Sequence, residues 1–519
     1  MMAKEQFIQK INQSYSPKGA FIQLGSGILD AEIVTDAKVN LALKMMNRHG
    51  LIAGATGTGK TRTLQLIAEQ LSDAAVPVFL LDVKGDLSGL SEPGNTNQAL
   101  LDRGNAVGIP FEPASFPIEL FSLTGKLGAP MRITVEDFGP ILLSRILDLN
   151  DTQSGVLSAI FKYATDNQLP IVDLQDLKKL LNYLSEGPGA DEIKADYGKI
   201  STSSSGAILR KIVAIEQQGV AHIFGEKEFD IQDLFNKVDG KGVISLLNIS
   251  DVQDQPLLFS TFLLSLLAQL FKQLPEVGDL DKPKLVFFFD EAHLLFNGAS
   301  KAFLSQIEQI VRLIRSKGVG VFFCTQAATD VPESVLGQLG NRIQHALRAF
   351  TPNDAENLRK TVRTYPTSDF YEIDKVLTSL GTGQALVTVL NDKGIPTEVV
   401  ATHLVPARAV MGPCQPSHYA ELIASSEFTQ KYQERVERRT ASEIIDEKNA
   451  AFQQQQELEK SKKEMAKEAS KPKPTSRTSN RQTPLEAAQS TASRTLAREG
   501  VKFLGKLANG LLNSFFKKK

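Results

Sequence analysis

The octapeptide Gly54-Ala55-Thr56-Gly57-Thr58-Gly59-Lys60-Thr61 constrains this chain more than any other stretch. Its glycines permit φ above zero, so successive backbone N–H groups can turn inward at the mouth of a helix whose dipole adds about half a positive charge. The apolar "LIA" before it reads as a brief buried strand. After it, Leu64, Ile67, Ala68 and Leu71 recur along one face of a helix expected from about Thr61 to Leu71. "VPVFLLDVKGD" follows as a second apolar strand. Strand, glycine loop, helix and strand form the alternation of an α/β domain with a parallel sheet, and such a loop cradles phosphates. Half a charge is small beside a triphosphate of about −4, so Lys60 on the β- and γ-phosphates, with a Mg²⁺ held partly by the Thr61 hydroxyl, must supply most of the neutralisation. The candidates for holding nucleotide are therefore Gly54, Ala55, Thr56, Gly57, Thr58, Gly59, Lys60 and Thr61, with Arg62 next on the first helical turn.

A phosphate loop needs a carboxylate from another strand. "LVFFFDE", Leu285 to Glu291, supplies two at the C-terminal end of a buried strand, the edge where open α/β sheets bind ligands. Asp290 is the candidate to orient the Mg²⁺ shell. Glu291 is the candidate to face the attacking water as general base, the alternative being a carboxylate that caps the next helix. One strand later, "VFFCTQ" brings Thr325 and Gln326 to an equivalent position, where an amide can contact both γ-phosphate and water. Asp82, Lys84 and Asp86 close the neighbouring strand, either touching the Mg²⁺ site or forming a turn.

The remaining organisation is read from composition. With 519 residues, 42% of them hydrophobic, the chain can bury one large or two to three ordinary cores. Residues 1–48 read as a short β-rich segment, 49–86 and 238–412 as the nucleotide-binding core, and 87–237 as a largely helical insertion. Residues 413–470 read as a helical extension, 471–489 as a flexible linker and 490–519 as an amphipathic basic helix. No signal-like segment and no run of 18 uninterrupted apolar residues is found, so a cytoplasmic address is expected. Cys324 and Cys414 are too few for a disulfide framework or a four-ligand zinc site. From Leu458 onward 15 Lys and Arg face 5 Asp and Glu, whereas the rest of the chain has 43 against 54, so a +10 tail is joined to a −11 body. Leu496, Gly500, Phe503, Leu507, Leu511 and Phe515 recur every three to four residues in that tail. Such a helix can lie on a membrane surface, on a neighbouring subunit or on the protein's own body.

Taken together, "GATGTGKT", "LLDVKGDLSG", "FFFDEAH" and "CTQ", followed by "GNRIQHALRAFTPND", resemble the HerA/FtsK group of RecA-like motor ATPases. The likeness is greatest to the bacterial HerA-like ATPases of the YjgR type, over roughly Gly19 to Met411. The resemblance implies a RecA-like P-loop core, a homo-oligomeric hexameric ring and ATP hydrolysis at subunit junctions. In the better understood relatives it also implies double-stranded DNA threaded through the channel. HerA itself carries a sizeable N-terminal β-barrel, whereas fewer than fifty residues precede Gly50 here. A ring motor needs a positive charge from the neighbouring subunit, worth about 10³–10⁵ in rate. The candidates are Arg312 and Arg315, on a helix whose Phe303, Ile307, Ile310 and Ile314 face inward, and Arg342 in "GNRI". Taken singly, Arg312 also suits an i,i+4 pair with Glu308. Two functional classes stand open: a nucleic-acid translocase or helicase, and an ATPase that remodels or positions protein partners, as the secretion-system relatives of the group do.

Overall fold

The computed structural model describes residues 2–297, 301–434, 436 and 438–469. The sequence-based linker 471–489 and basic helix 490–519 lie outside them. The chain divides into two units, residues 1–451 and 452–519, and the described part of the second, 452–469, belongs to the helix Ala441–Ala469.

Twelve strands form one sheet: β1 (Phe21–Leu29), β2 (Glu32–Ala42), β3 (Gly50–Ala53), β4 (Val78–Asp82), β5 (Ile118–Ser122), β6 (Ala129–Pro130), β7 (Ile244–Asn248), β8 (Leu285–Phe289), β9 (Val319–Thr325), β10 (Asn341–Gln344), β11 (Gln384–Thr388) and β12 (Val400–Leu404). Their spatial order is β2-β1-β12-β11-β10-β3-β9-β8-β4-β7-β5-β6. From β10 to β6 every neighbouring pair is parallel, and from β10 to β2 every pair is antiparallel. The α/β class and mostly parallel sheet expected from the motifs are therefore what the chain builds.

The continuous apolar runs reflect burial on both faces of the parallel half. Along β8, Phe287 and Phe289 join one core cluster while Val286 and Phe288 join the other. The helix α2 (Lys60–Asp73), two residues longer at its C-terminus than its sequence pattern marks, buries Leu64, Ile67, Ala68 and Leu71 in the second cluster. The helix Lys301–Ile314 buries Phe303, Ile307, Ile310 and Ile314 in the first. The helix Pro256–Gln273 is long and apolar enough to cross a membrane, yet 61% of it is buried, with Leu258, Phe262 and Leu266 among the residues packed in the first cluster.

Two expectations need correction. Residues 1–48 do not read through as strands: Met2–Ser14 is a helix, α1, because Phe7, Ile11 and Tyr15 lie four residues apart on one face and are fully or almost fully buried. The two strands that follow extend the central sheet, β1 pairing with β12 through Gly25 and Leu404. Residues 87–237 do carry helices at Val135–Ile146, Asp151–Asp166, Leu174–Ser185, Ala190–Asp196 and Thr202–Gln217, but β5 and β6 within that span extend the sheet beyond β7. The serine tract "STSSSG" opens the last of these helices. Ser201 caps a helix by accepting from the Ser204 N–H, and the remaining serines form its first turns.

Candidate active site

Strand register brings the motifs to one edge. Ala53 at the end of β3 pairs with Thr325 at the end of β9, and Phe323 pairs with Phe289 at the end of β8. Leu81 of β4 pairs with the same Phe289. The segments beginning at Gly54, Gln326, Asp290 and Val83 therefore leave the sheet side by side. The Gly54 N–H donates to the Thr325 carbonyl at 3.2 Å, so the glycine loop opens directly beside Gln326. Gln326 itself is exposed.

Within the loop, Gly57 and Gly59 take φ of 76° and 111°, a region closed to most side chains. Gly59 is the N-terminal boundary of α2, with Lys60 and Thr61 opening the helix. Thr61 and Arg62 are half-buried there, and Thr56 and Gly57 are exposed at the tip. The Thr58 hydroxyl donates to the Ala55 carbonyl at 2.7 Å, closing the loop on itself. The Lys60 ammonium curls back onto the carbonyls of Gly54 at 2.7 Å and Ala55 at 3.3 Å, at the centre of the cradle. Burial pulls its pKa down, and the nearby Glu291 and Asp290 charges oppose that pull. The Lys60 ammonium thus feels the charge of both carboxylates on the separate strand.

Asp290 is 4% exposed. Burial, reinforced by the Glu291 charge, pushes its carboxyl up to about 7. A divalent cation beside such a buried carboxyl would favour its ionised form, and Thr61, half-buried at the helix mouth, carries a hydroxyl that could share it. No cluster of three or more His, Cys, Asp or Glu suited to a metal occurs among the described residues.

Glu291 sits at φ 48°, a left-handed conformation that costs a non-glycine residue about 1–3 kcal/mol and concentrates at functional sites. Its Oε1 accepts from the Lys84 ammonium at 2.6 Å. Its Oε2 is buried without a hydrogen-bond partner, 3.4 Å from His293 Nδ1. Burial raises the Glu291 carboxyl, but the Lys84 bond and charge outweigh it, so the net shift is downward and the carboxylate stays ionised. It does not cap the following helix. The neighbouring trio divides its work: Asp82 accepts from the N–H groups of Gly85, Asp86 and Leu87 and holds the turn, while Lys84 reaches the site. Asp86 keeps a buried, unpartnered Oδ1.

Arg62 is not brought to the phosphate cradle. Its guanidinium bonds Gln65 Oε1 at 2.7 Å and the carbonyls of Ala407 and Ala409, which fixes the flank of α2. Arg342 is likewise engaged within its own chain, donating to the carbonyls of Leu339, Thr364 and Leu336. Arg312 and Arg315 are exposed, as their helix pattern implies, and lie just before β9 begins, at the sheet edge opposite the glycine loop. Among the described residues no ion pair joins Arg312 to Glu308. Arg342→Ala should therefore destabilise the fold by about 1–3 kcal/mol through its orphaned carbonyls, whereas Arg312→Ala and Arg315→Ala should stay within about 0.5 kcal/mol of wild type. Urea unfolding midpoints of the three variants check this separation.

Motif reading missed the buttress behind the loop. The Ala55 N–H donates to the Ala346 carbonyl at 2.9 Å, and the Gly383 N–H to the Thr58 carbonyl at 3.0 Å. His345 Nε2 lies 2.9 Å from the Thr63 hydroxyl, and a Cβ on Gly54 would stand 2.4 Å from His345 Cβ. Burial and the Lys60 charge lower the His345 pKa to about 4, so the ring is neutral at pH 7. Arg103 in turn donates to the carbonyls of Thr382 and Gly383. The only sequence signal was the stretch after "GNRIQ", which carries no nucleotide-binding pattern of its own.

A family model described as helicase HerA-like C-terminal matches residues 29–519. The chain is 23% identical over 384 residues to the DNA double-strand break repair helicase HerA of Sulfurisphaera tokodaii, covering 68% of this chain and 65% of that protein. It is 22% identical over 354 residues to the DNA import protein CedB of Sulfolobus acidocaldarius, covering 67% and 51%. The chain thus spans less than two-thirds of the length of either relative. Among solved structures, the plasmid coupling protein TrwB bound to a non-hydrolysable GTP analogue superposes with a TM-score of 0.49 at 14% identity, covering 77% of this chain and 99% of TrwB.

Proposed function

Because this chain belongs to the helicase HerA-like C-terminal family, we propose that it is a Mg²⁺-dependent ATPase working as a ring-forming nucleic-acid translocase. One observation carries the hydrolytic reading. Lys60, Asp290 and the strained, ionised Glu291 meet at a single sheet edge, with Gln326 beginning at the same edge.

The backbone N–H groups of Gly57 to Thr61 and the Lys60 ammonium bind the phosphates. Thr61 and Asp290 would hold the Mg²⁺, which offsets negative charge on the β- and γ-phosphate oxygens when bound. Glu291 takes a proton from the attacking water as its oxygen bonds to the γ-phosphorus and the bond to the β–γ bridging oxygen breaks, giving ADP and phosphate. Gln326 orients that water. Arg312 or Arg315 reaches the site of the neighbouring subunit. Both are exposed and their removal leaves no buried carbonyl unpaired, whereas Arg342 is already occupied.

The two relatives described above are both named for work on DNA, which favours DNA over a protein partner as the substrate. If DNA is engaged, ATP turnover rises on adding duplex, and the rise shrinks as salt increases because bound phosphates release counterions. Turnover measured with and without duplex at two salt concentrations, alongside particle mass in solution, tests both substrate and ring. Turnover indifferent to every DNA and RNA form would instead favour remodelling of protein partners.

A further inference from the structure

Lys84 was not assigned a role by the nucleotide-binding pattern, yet it makes the shortest contact to Glu291, 2.6 Å from Oε1. A general base must present a free lone pair to the water. Here one oxygen of Glu291 is held by an ammonium, and the other is buried without a hydrogen bond. The pair is asymmetric, since the Lys84 side chain is 52% exposed and that of Glu291 11%. The base of the lysine arm is fixed. Asp82 fastens its turn through three N–H groups, and Gly85 sits at φ 73°, where an added Cβ would stand 3.3 Å from Ser250 Oγ and 3.4 Å from Asn248 Nδ2 at the end of β7. Asn248 in turn donates to the Tyr419 hydroxyl of the helix Pro416–Ser425. A rigid mount with an exposed tip suits a restraint that can be lifted from outside.

We propose that Lys84 is a positioning residue that holds Glu291 out of use, so that ATP hydrolysis in the absence of nucleic acid is limited by opening of the Lys84–Glu291 pair. The inference rests on the hydrolytic reading of Glu291. It assigns Lys84 no contact with the nucleotide.

Lys84→Ala in the full chain should raise basal kcat about two- to fivefold, the range expected for releasing a part-exposed ion pair, with KM unchanged. Lys84→Arg keeps a cation for the pair and should reverse most of that gain. The dissociation constant of a non-hydrolysable ATP analogue should stay the same in Lys84→Ala. In nucleotide-free protein, an amine-acylating reagent should modify Lys84 faster when Glu291→Gln removes its partner. A fall in basal kcat, or none of the expected rise, would overturn the restraint. Tenfold weaker analogue binding would place Lys84 on the phosphates instead, and unchanged acylation would dissolve the pair. Wild-type turnover that Glu291→Gln leaves intact would sink the hydrolytic reading itself, an outcome separate from any effect at Lys84.

Discussion

Glu291→Gln is expected to lower kcat for ATP by about 10²–10⁴-fold, the usual worth of a positioned general base, while leaving ATP bound. The amide matches the carboxylate in size and can occupy the same left-handed backbone position, so the fold and the glycine loop are undisturbed. What it loses is the capacity to take a proton. In barrier terms this is about 3–5 kcal/mol. Single-turnover measurements with labelled ATP, together with a filter-binding constant, separate the two effects. Retained binding with lost turnover is the expected pair, and unimpaired turnover would remove Glu291 from the chemistry.

Lys60→Ala is expected to act on binding instead. The ammonium sits among the carbonyls of Gly54 and Ala55, is 9% exposed and feels both strand-end carboxylates. Removing it would leave triphosphate charge facing Asp290 and Glu291 with only the helix dipole and metal to offset them. Truncating one partner of a buried, hydrogen-bonded charge pair costs about 2–5 kcal/mol, or about 30- to 4,000-fold in affinity. Calorimetric titration with a non-hydrolysable analogue reads this directly. The two variants should be distinguishable by eye in such a titration, since one retains saturable binding and the other loses it.

The parts of this molecule legible in its sequence were those in which chemistry demands particular residues at particular spacing. The glycine loop could be placed between β3 and α2, and Asp290 and Glu291 at the end of β8, because a phosphate cradle and a buried strand-end carboxylate leave few alternatives. Helix patterns also held where the apolar period was clean, as for Phe303, Ile307, Ile310 and Ile314. What could not be read was support from afar. His345, Gly383 and Arg103 brace the loop through backbone bonds and packing set by strand order, and no local pattern encodes which strand lies beside which. Arg62 was misjudged for the same reason: adjacency to Thr61 in sequence placed it near the phosphates, whereas the carbonyls of Ala407 and Ala409 draw it to the other side of α2. The helix α1 carries its period in Phe7, Ile11 and Tyr15, but the alternating stretches "AFIQL" and "AEIV" farther along give the whole of residues 1–48 a β-rich pattern.

The pairing of β1 with β12 sets where this protein tolerates being cut. Trimming the chain back to its nucleotide loop would strip away β1 and β2 and leave the backbone of β12 bare along one side. A naked strand of that kind is a template for other chains, so the shortened protein would tend to clump rather than simply lose a decoration. The first forty-odd residues serve as the selvedge of the sheet, finishing a border that would otherwise unravel into its neighbours.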